Sequence, residues 1–546
     1  MIAARRLIGL LLAFTLVWFA TLDHRRLFNP DEGRYAEIPR EMVASGDWIT
    51  PRLNDIKYFY KPPLQYWATA LAYSAFGEHH WTARLWPALT GFAGILLTGV
   101  AAARLFGPGA GVIAAAVLAG SLFWNLIGHI NTLDMGVSAF LAAAVFAVCL
   151  AETAPRGSTQ SRRWRDGAWV FLALAVLSKG LIGAALPALA VFAYALWQRD
   201  PGLILRLRPI RGTLILLAVT APWFIAVSLA NPEFPHFFFI HEHVERFLTR
   251  VHGRYEPAWY FMPILAAGLL PWSAALPLVA AAGARRDAAA GFQPGRFLLC
   301  WIVVVFAFFS ASSSKLSAYI LPIWPALAAL AGAAFARRLD QRRLGWLAVT
   351  VALAGLTGLL LAQRASGLAS EEAASRAGYA AYAPYLYGAA ALLLAGGVAG
   401  WLLERRRNSL AALLVLAASG HLAGQAVLLG HDHVGYLKSG HDLAKAIRDK
   451  VAPDAPFYSV ETYDQSLQFY LGRTTTMVAY QDELGFGIGR EPEKFIADLA
   501  GFERRWVSDA AAWALMPVAR FDAYRAQGLP MVEMARDPRR VVVRKP

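Results

Sequence analysis

The sequence predicts an α-helical polytopic membrane protein with about thirteen spans, amphipathic helices in its first outer loop and a small soluble α/β domain at the carboxyl end. Three observations lead there. Of 546 residues, 57% are hydrophobic and only 16% charged, whereas a soluble domain is about one quarter charged; mean hydropathy is +0.42. Apolar runs of about 20 residues, enough to cross a bilayer core, recur as far as residue 430. Beyond that point the apolar residues fall instead into short strand- and helix-length pieces among polar ones. The net charge of +15 would suit a nucleic-acid binder. The arginine clusters, however, occupy separate short loops between apolar runs, which the positive-inside rule explains and a nucleic-acid surface does not.

Taken in order, the expected spans are 7–24, 82–104, 109–128, 133–152, 167–179, 181–198, 211–230, 259–281, 297–312, 317–336, 344–363, 383–403 and 410–430. Residues 1–20 begin with Arg5-Arg6 like a signal peptide, but no small-residue cleavage site precedes the polar loop, so they read as an uncleaved first span. Every second loop is arginine-rich: Arg5-Arg6, Arg104, the group around Arg162, the group around Arg206, Arg285-Arg286, Arg337-Arg338 and Arg405-Arg406-Arg407. That alternation places the amino terminus in the cytoplasm and the carboxyl tail outside. Residues 1–430 thus form a membrane domain, with 25–81 as its long first outer loop, and 431–546 a soluble α/β domain outside the membrane. The other outer segments are 128–134, 231–257, 312–317 and 364–382. In the tail, Ser439 with Asp442 reads as a capping box on a helix to about Lys450, and 456–462 and 475–480 read as strands. Pieces follow at 493–502, 513–518, 519–528 and 539–545. Cys149 and Cys300 lie in separate apolar runs and suggest buried thiols.

A loop that only joined two spans could be a few residues long. The stretch 25–81 instead carries Asn29-Pro30-Asp31-Glu32-Gly33-Arg34-Tyr35-Ala36 and Lys57-Tyr58-Phe59-Tyr60-Lys61-Pro62-Pro63-Leu64-Gln65-Tyr66-Trp67. Asp31 and Glu32 stand at the positive end of a helix that Pro30 launches. Tyr35, Ile38, Met42 and Val43 make its apolar side and Arg34, Glu37 and Glu41 its polar one, the pattern of a helix on the membrane surface. Leu64–Phe76 reads as a second such helix. Asp31 can simply cap its helix or act on a substrate; Asp134, at the edge of a span, can cap or be functional. Lys61, fixed by two following prolines, suits a phosphate ligand or a lipid-gripping lysine. His236, His241, His243, Glu242, Glu245 and Arg246 crowd another outer loop, which admits a divalent metal, although the spacing matches no strong metal motif. Lys179, Lys315, Arg254 and Tyr319 are further outer-edge groups, while His421 and Gln425 lie within the last span and should bond a neighbouring helix.

The two loop motifs and the overall plan resemble the lipid A aminoarabinose transferases, members of the C-type integral-membrane glycosyltransferase superfamily that includes the protein O-mannosyltransferases. The resemblance implies transfer of 4-amino-4-deoxy-L-arabinose from undecaprenyl phosphate to lipid A phosphates at the periplasmic face, with resistance to polymyxin and other cationic peptides. It implies Asp31 as the essential carboxylate and Asp134 as a second acid. Arg34 and Tyr58 would line the site, Lys61 and Lys179 would hold donor phosphate, and Arg246 and His241 would contribute from the outer loop, His241 toward any metal. No cofactor is required, and a monomer is expected. The chain departs from the family pattern at Tyr60, where a glutamate often precedes the lysine. Two alternatives stay open: another polyprenyl-phosphate sugar passed to a protein or glycan hydroxyl, and a lipid or sugar flippase, which would place ionisable groups nearer mid-membrane.

Overall fold

In lipid every backbone polar group must find its partner within the protein, so the apolar segments become helices. The computed structural model describes residues 2–245, 256–288, 290–337, 341–362, 364, 367 and 373–546. Its helices run α1 Ile2–Ala20, α2 Asp31–Ser45, α3 Leu64–Phe76, α4 His80–Phe106, α5 Pro108–Gly120, α6 Leu122–Gly128, α7 Asp134–Thr153, α8 Thr159–Lys179, α9 Ile182–Gln198 and α10 Pro209–Ala230. A π-helical segment, His236–Glu245, precedes α11 Phe261–Gly268, α12 Leu276–Ala284, α13 Pro294–Ala311, α14 Trp324–Arg337, α15 Gln341–Ala362, α16 Ala373–Arg405 and α17 Ser409–Gly435. Among the described residues, eight helices are long and apolar enough to cross a membrane. The bent pairs α5–α6 (65°) and α11–α12 (108°) raise the number to ten. Each expected span falls on one of these helices, but α9 and the apolar part of α1 are short, and α8 opens with a charged first half. Length and composition alone therefore do not return thirteen.

α7 and the span Ser317–Arg337 are buried on nearly all sides, at 89% and 83% of their most apolar windows, so they form the centre of the bundle, as helices apolar all round must. Polar groups inside the bundle bond across helices, as expected for His421 and Gln425. Asn125 Nδ2 donates to the His421 carbonyl at 2.8 Å, Gln425 Nε2 to Asn125 Oδ1 at 3.0 Å, and Thr21 Oγ1 to Gln425 Oε1 at 2.7 Å. One expected outer loop is shorter than predicted: residues 373–382 belong to α16, whose alanine-rich sequence favours helix.

The tail carries α18 His441–Ile447, α19 Gln465–Leu471, α20 Gly485–Arg490, α21 Leu499–Ser508 and α22 Val518–Ala526. In the loop, β1 Arg52–Leu53 and β2 Ile56–Lys57 form a small hairpin. The tail sheet contains β3 Phe457–Val460, β4 Thr476–Val478, β5 Phe495–Ile496, β6 Trp513–Pro517, β7 Val532–Arg536 and β8 Arg540–Arg544 in the order β5-β4-β3-β6-β8-β7. β5, β4, β3 and β6 are mutually parallel; β8 is antiparallel to both β6 and β7. The expected capping box is replaced by a start at Gly440. Ser439 Oγ accepts from the His441 amide at 3.3 Å, and Asp442 pairs with Arg26 of the first loop at 3.3 Å.

This domain sits directly on the first outer loop. Asn54 exchanges hydrogen bonds with Thr475, Nδ2 to the carbonyl at 2.7 Å and amide to Oδ1 at 2.8 Å. Asn29 Oδ1 accepts from the Ser466 amide at 2.9 Å, and Arg52 pairs with Glu491 at 3.0 Å. α2 therefore does not rest with its polar side in water as its amphipathic pattern suggests. α3 lies on one side and α19 on the other, and Glu32, Glu37, Arg40 and Glu41 are all buried. Their polar atoms are met locally. Arg40 grips Glu37 with two bonds of 2.6 and 2.7 Å, and Glu41 accepts the Asn54 and Asp55 amides at 2.5 and 2.8 Å. Gly33 marks a close approach of α2 to the tail, since a Cβ there would lie 2.6 Å from the Ser466 nitrogen.

Candidate active site

The amino end of α2 is fixed from below. Glu32, fully buried, receives Arg84 of α4 through Nε and NH2, both at 2.7 Å, and the Asn131 amide at 3.0 Å. Arg84 spends its remaining N–H groups on the carbonyls of Leu22, Arg25 and Arg26 at 2.7–2.9 Å, so its whole donor fork is used. Burial alone would raise the Glu32 pKa; the contacts with Arg84 and the nearby Arg25 outweigh it and hold the carboxyl at about 2. This junction ties the first loop to α4 and to the turn before α7. It leaves the adjacent Asp31 side chain 45% exposed.

From Asp31 a polar cluster extends toward the tail domain. Arg34 NH1 lies 3.3 Å from Asp31 Oδ1, and its NH2 lies 2.6 Å from Glu483 Oε2. Tyr58 donates its hydroxyl to Glu483 at 3.1 Å, and Gln465 Nε2 donates to the other Glu483 oxygen at 2.8 Å. Tyr35 and Tyr58 flank the guanidinium at 5.7 and 5.9 Å. Burial keeps the Tyr58 and Tyr66 hydroxyls well above the ordinary tyrosine range. It does the same for Tyr35, where Arg34 works against the shift and the charges of Asp31 and Asp134 add to it. Tyr35 thus stands between this cluster and a second one.

That second cluster lines a cavity of about 180 Å³ bounded by Lys61, Asp134, Lys179, Glu242, Tyr319 and Ser314 at its polar end and by Val137, Leu141, Leu186, Phe308 and Phe309 along its apolar walls. Lys179, the last residue of α8, bonds the Asp134 carboxylate and stands 5.0 Å from the Tyr319 ring centre. Lys61 Nζ reaches the Tyr60 carbonyl at 2.8 Å and Glu242 Oε2 at 3.3 Å; Pro62 and Pro63 set the backbone that aims it. Nearby, Lys57 pairs with Glu233 at 2.8 Å. Two ammonium groups, each beside a carboxylate, at the mouth of an apolar slot suit an amphiphile with an anionic head.

Of the residues singled out in the sequence, Lys61, Asp134 and Lys179 thus share one cavity. Asp31, Arg34 and Tyr58 form the adjoining cluster, and no direct contact joins Asp31 to Lys61 among the described residues. His241 stacks on Phe237 with ring centres 5.2 Å apart and does not line the cavity. Arg246 lies outside the described residues. Among the described residues, no group of three or more histidine, cysteine or acidic side chains is arranged for a metal ion. Three features escaped the site read from sequence: the Glu32–Arg84 junction, Glu242 as a cavity wall, and Glu483. Glu242 carried a signal in its histidine-rich loop. Glu483 carried none, being brought in only by the docking of the tail.

A bundle of apolar helices, a catalytic-type loop laid on its outer end and a lysine-rimmed, lipid-shaped cavity define the architecture of membrane glycosyltransferases that use lipid-phosphate sugars. Two family models match accordingly: dolichyl-phosphate-mannose-protein mannosyltransferase over residues 60–225, and the aminoarabinose transferase C-terminal domain over 443–545. The crystal structure of ArnT from Cupriavidus metallidurans bound to undecaprenyl phosphate superposes with a TM-score of 0.94 at 39% identity, covering 99% of this chain and 98% of that one. The chain belongs to the ArnT family. The undecaprenyl phosphate-alpha-4-amino-4-deoxy-L-arabinose arabinosyl transferase 1 of Sodalis glossinidius (strain morsitans) is 37% identical over 340 residues, 60% of this chain and 58% of that relative. The aligned region therefore spans less than two thirds of that relative's length. The archaeal oligosaccharyltransferase AglB from Archaeoglobus fulgidus shares the fold, with a TM-score of 0.51 at 14% identity over 85% of this chain and 64% of its own.

Proposed function

We propose that this chain transfers 4-amino-4-deoxy-L-arabinose from undecaprenyl phosphate to a phosphate of lipid A at the periplasmic face of the bacterial inner membrane. In this reading the amino terminus is cytoplasmic and the domain after residue 430 periplasmic. The observation that carries it is the cavity with Lys61 and Lys179 at its mouth and phenylalanine and leucine along its walls, in a chain that superposes almost entirely on an ArnT holding undecaprenyl phosphate. The isoprenoid lies along the apolar wall, and the ammonium groups meet the phosphate.

The chemistry follows from charge. An acceptor phosphate oxygen attacks the anomeric carbon of the sugar while the bond from that carbon to the donor phosphate oxygen breaks, releasing undecaprenyl phosphate. The leaving group is an anion, so fixed positive charge serves it better than a strong acid, and Lys61 with Lys179 supplies that charge. A phosphate monoester has a second pKa of about 6 and is already a nucleophile at neutral pH. Asp31, half-exposed beside Arg34, then has no proton to remove; it orients the reacting groups and stabilises positive charge growing at the sugar. Asp134 keeps Lys179 in place, and the reading takes the chain to act as a monomer. The product carries an added ammonium on lipid A, which weakens the attraction of polymyxin and other cationic peptides.

The test is incubation of purified protein with lipid A and undecaprenyl-phosphate-linked aminoarabinose, followed by mass spectrometry of the lipid A. Wild type adds one aminopentose mass, and Asp31→Asn adds none while unfolding at the wild-type temperature. An active Asp31→Asn protein removes that carboxylate from the site; wild type that glycosylates only a protein or glycan acceptor overturns the lipid A assignment.

A further inference from the structure

We infer that Glu483, a residue of the tail domain, is a positioning residue for Asp31, acting through Arg34, so that the tail domain completes the site rather than merely covering it; the inference rests on the transferase reading above. Parallel sheets offer side chains for a site beyond the carboxyl ends of their strands, where neighbouring loops diverge. Here the loop after β3 leads to Gln465 and the loop after β4 to Glu483, and both reach Arg34's side of the interface.

The guanidinium is divided between two carboxylates of unlike surroundings. The Glu483 contact is short, 2.6 Å, between side chains 13% and 14% exposed. The Asp31 contact is longer, 3.3 Å, to a side chain 45% exposed. A desolvated charged hydrogen bond outcompetes a wet one, so Glu483 sets where Arg34 sits and Asp31 is left only loosely engaged. Tyr58 and Gln465 in turn hold Glu483 from either side, at 3.1 and 2.8 Å. Without the Glu483 charge, the nearest carboxylate left to Arg34 is Asp31. Arg34 then closes on it in a two-bond pair and withdraws it from substrate.

The experiment compares wild type, Glu483→Gln and Glu483→Asp in the lipid A transfer assay, with kcat, donor KM and thermal unfolding measured for each. Loss of a charged hydrogen bond of this kind predicts a kcat fall of about 10- to 100-fold for Glu483→Gln, with donor KM within about threefold of wild type. Partial recovery is expected in Glu483→Asp. A kcat within about twofold of wild type, or a loss that comes with a lower unfolding temperature and is not recovered in Glu483→Asp, overturns the inference and leaves the transferase reading standing. Wild type that fails to transfer overturns both.

Discussion

Arg84→Ala should be among the most damaging single substitutions in the chain, although Arg84 lies outside the cavity. The side chain is fully buried and bonded to Glu32 and to three carbonyls. Breaking a buried ion pair costs about 3–5 kcal/mol, because the surviving charge stays in place without its partner. Each orphaned carbonyl adds up to about 1–3 kcal/mol, less where water enters the space left behind. A total of about 5 kcal/mol or more is comparable to the whole stability of many domains. Arg84→Met combined with Glu32→Leu removes both charges at similar volume and should be milder than either single change. The pH dependence has a definite sign. The folded Glu32 pKa of about 2 lies below its ordinary 4.5, so its contribution, about 3 kcal/mol, is fully present above pH 4.5 and is lost as pH falls from there toward 2. In Arg84→Met the buried carboxyl has lost its main counter-charge and its pKa rises, so mild acid should stabilise that variant. Thermal unfolding in detergent, followed by tryptophan fluorescence at several pH values, reads all of this. An Arg84→Ala protein with wild-type unfolding temperature and the same acid slope would refute the reasoning.

Lys61→Ala should raise donor KM about 10- to 100-fold, the worth of one charged hydrogen bond to phosphate, and should also lower the unfolding temperature, because it removes the Lys61 contact from the Glu242 carboxylate, which is only 1% exposed; steady-state kinetics against donor concentration checks it, and an unchanged KM would remove Lys61 from the donor site. Gly33→Ala places a methyl 2.6 Å from the Ser466 nitrogen and 2.7 Å from Asn29 Oδ1. It should loosen the tail from α2 at about 1–3 kcal/mol, seen as faster proteolytic clipping between the two, and unaltered clipping would show that the seam accommodates it.

The bundle was legible because lipid imposes one solution: a run of apolar residues long enough to span becomes a helix, and each predicted span lies on one. The loop motif was legible because charge and proline at 29–36 and 57–67 stand out against alanine and leucine. Lys61, Asp134 and Lys179 could be named because ionisable groups at the edge of a membrane are rare enough to stand out one by one. That Asp134 and Lys179 bond each other could not be read, since the ends of α7 and α8 meet only through bundle packing. The surroundings of α2 were misjudged for a related reason. Its amphipathic pattern describes one buried face, while the other is covered by residues more than 400 positions away, such as Ser466, whose amide bonds Asn29. Glu483 was invisible on the same ground, because no local pattern distinguishes an acid that will be turned toward a distant arginine.

The seam between α2 and the tail also bears on biogenesis. Ribosomes deliver the first loop early and Ser466, Thr475 and Glu483 late, after the intervening helices have been inserted. Until those residues settle onto the loop, Asn29 and Asn54 lack their companions in the tail, and Arg34 lacks its stronger one. Assembly is therefore finished from the carboxyl side: a truncated or stalled chain can insert its helices and still present an incomplete reaction centre.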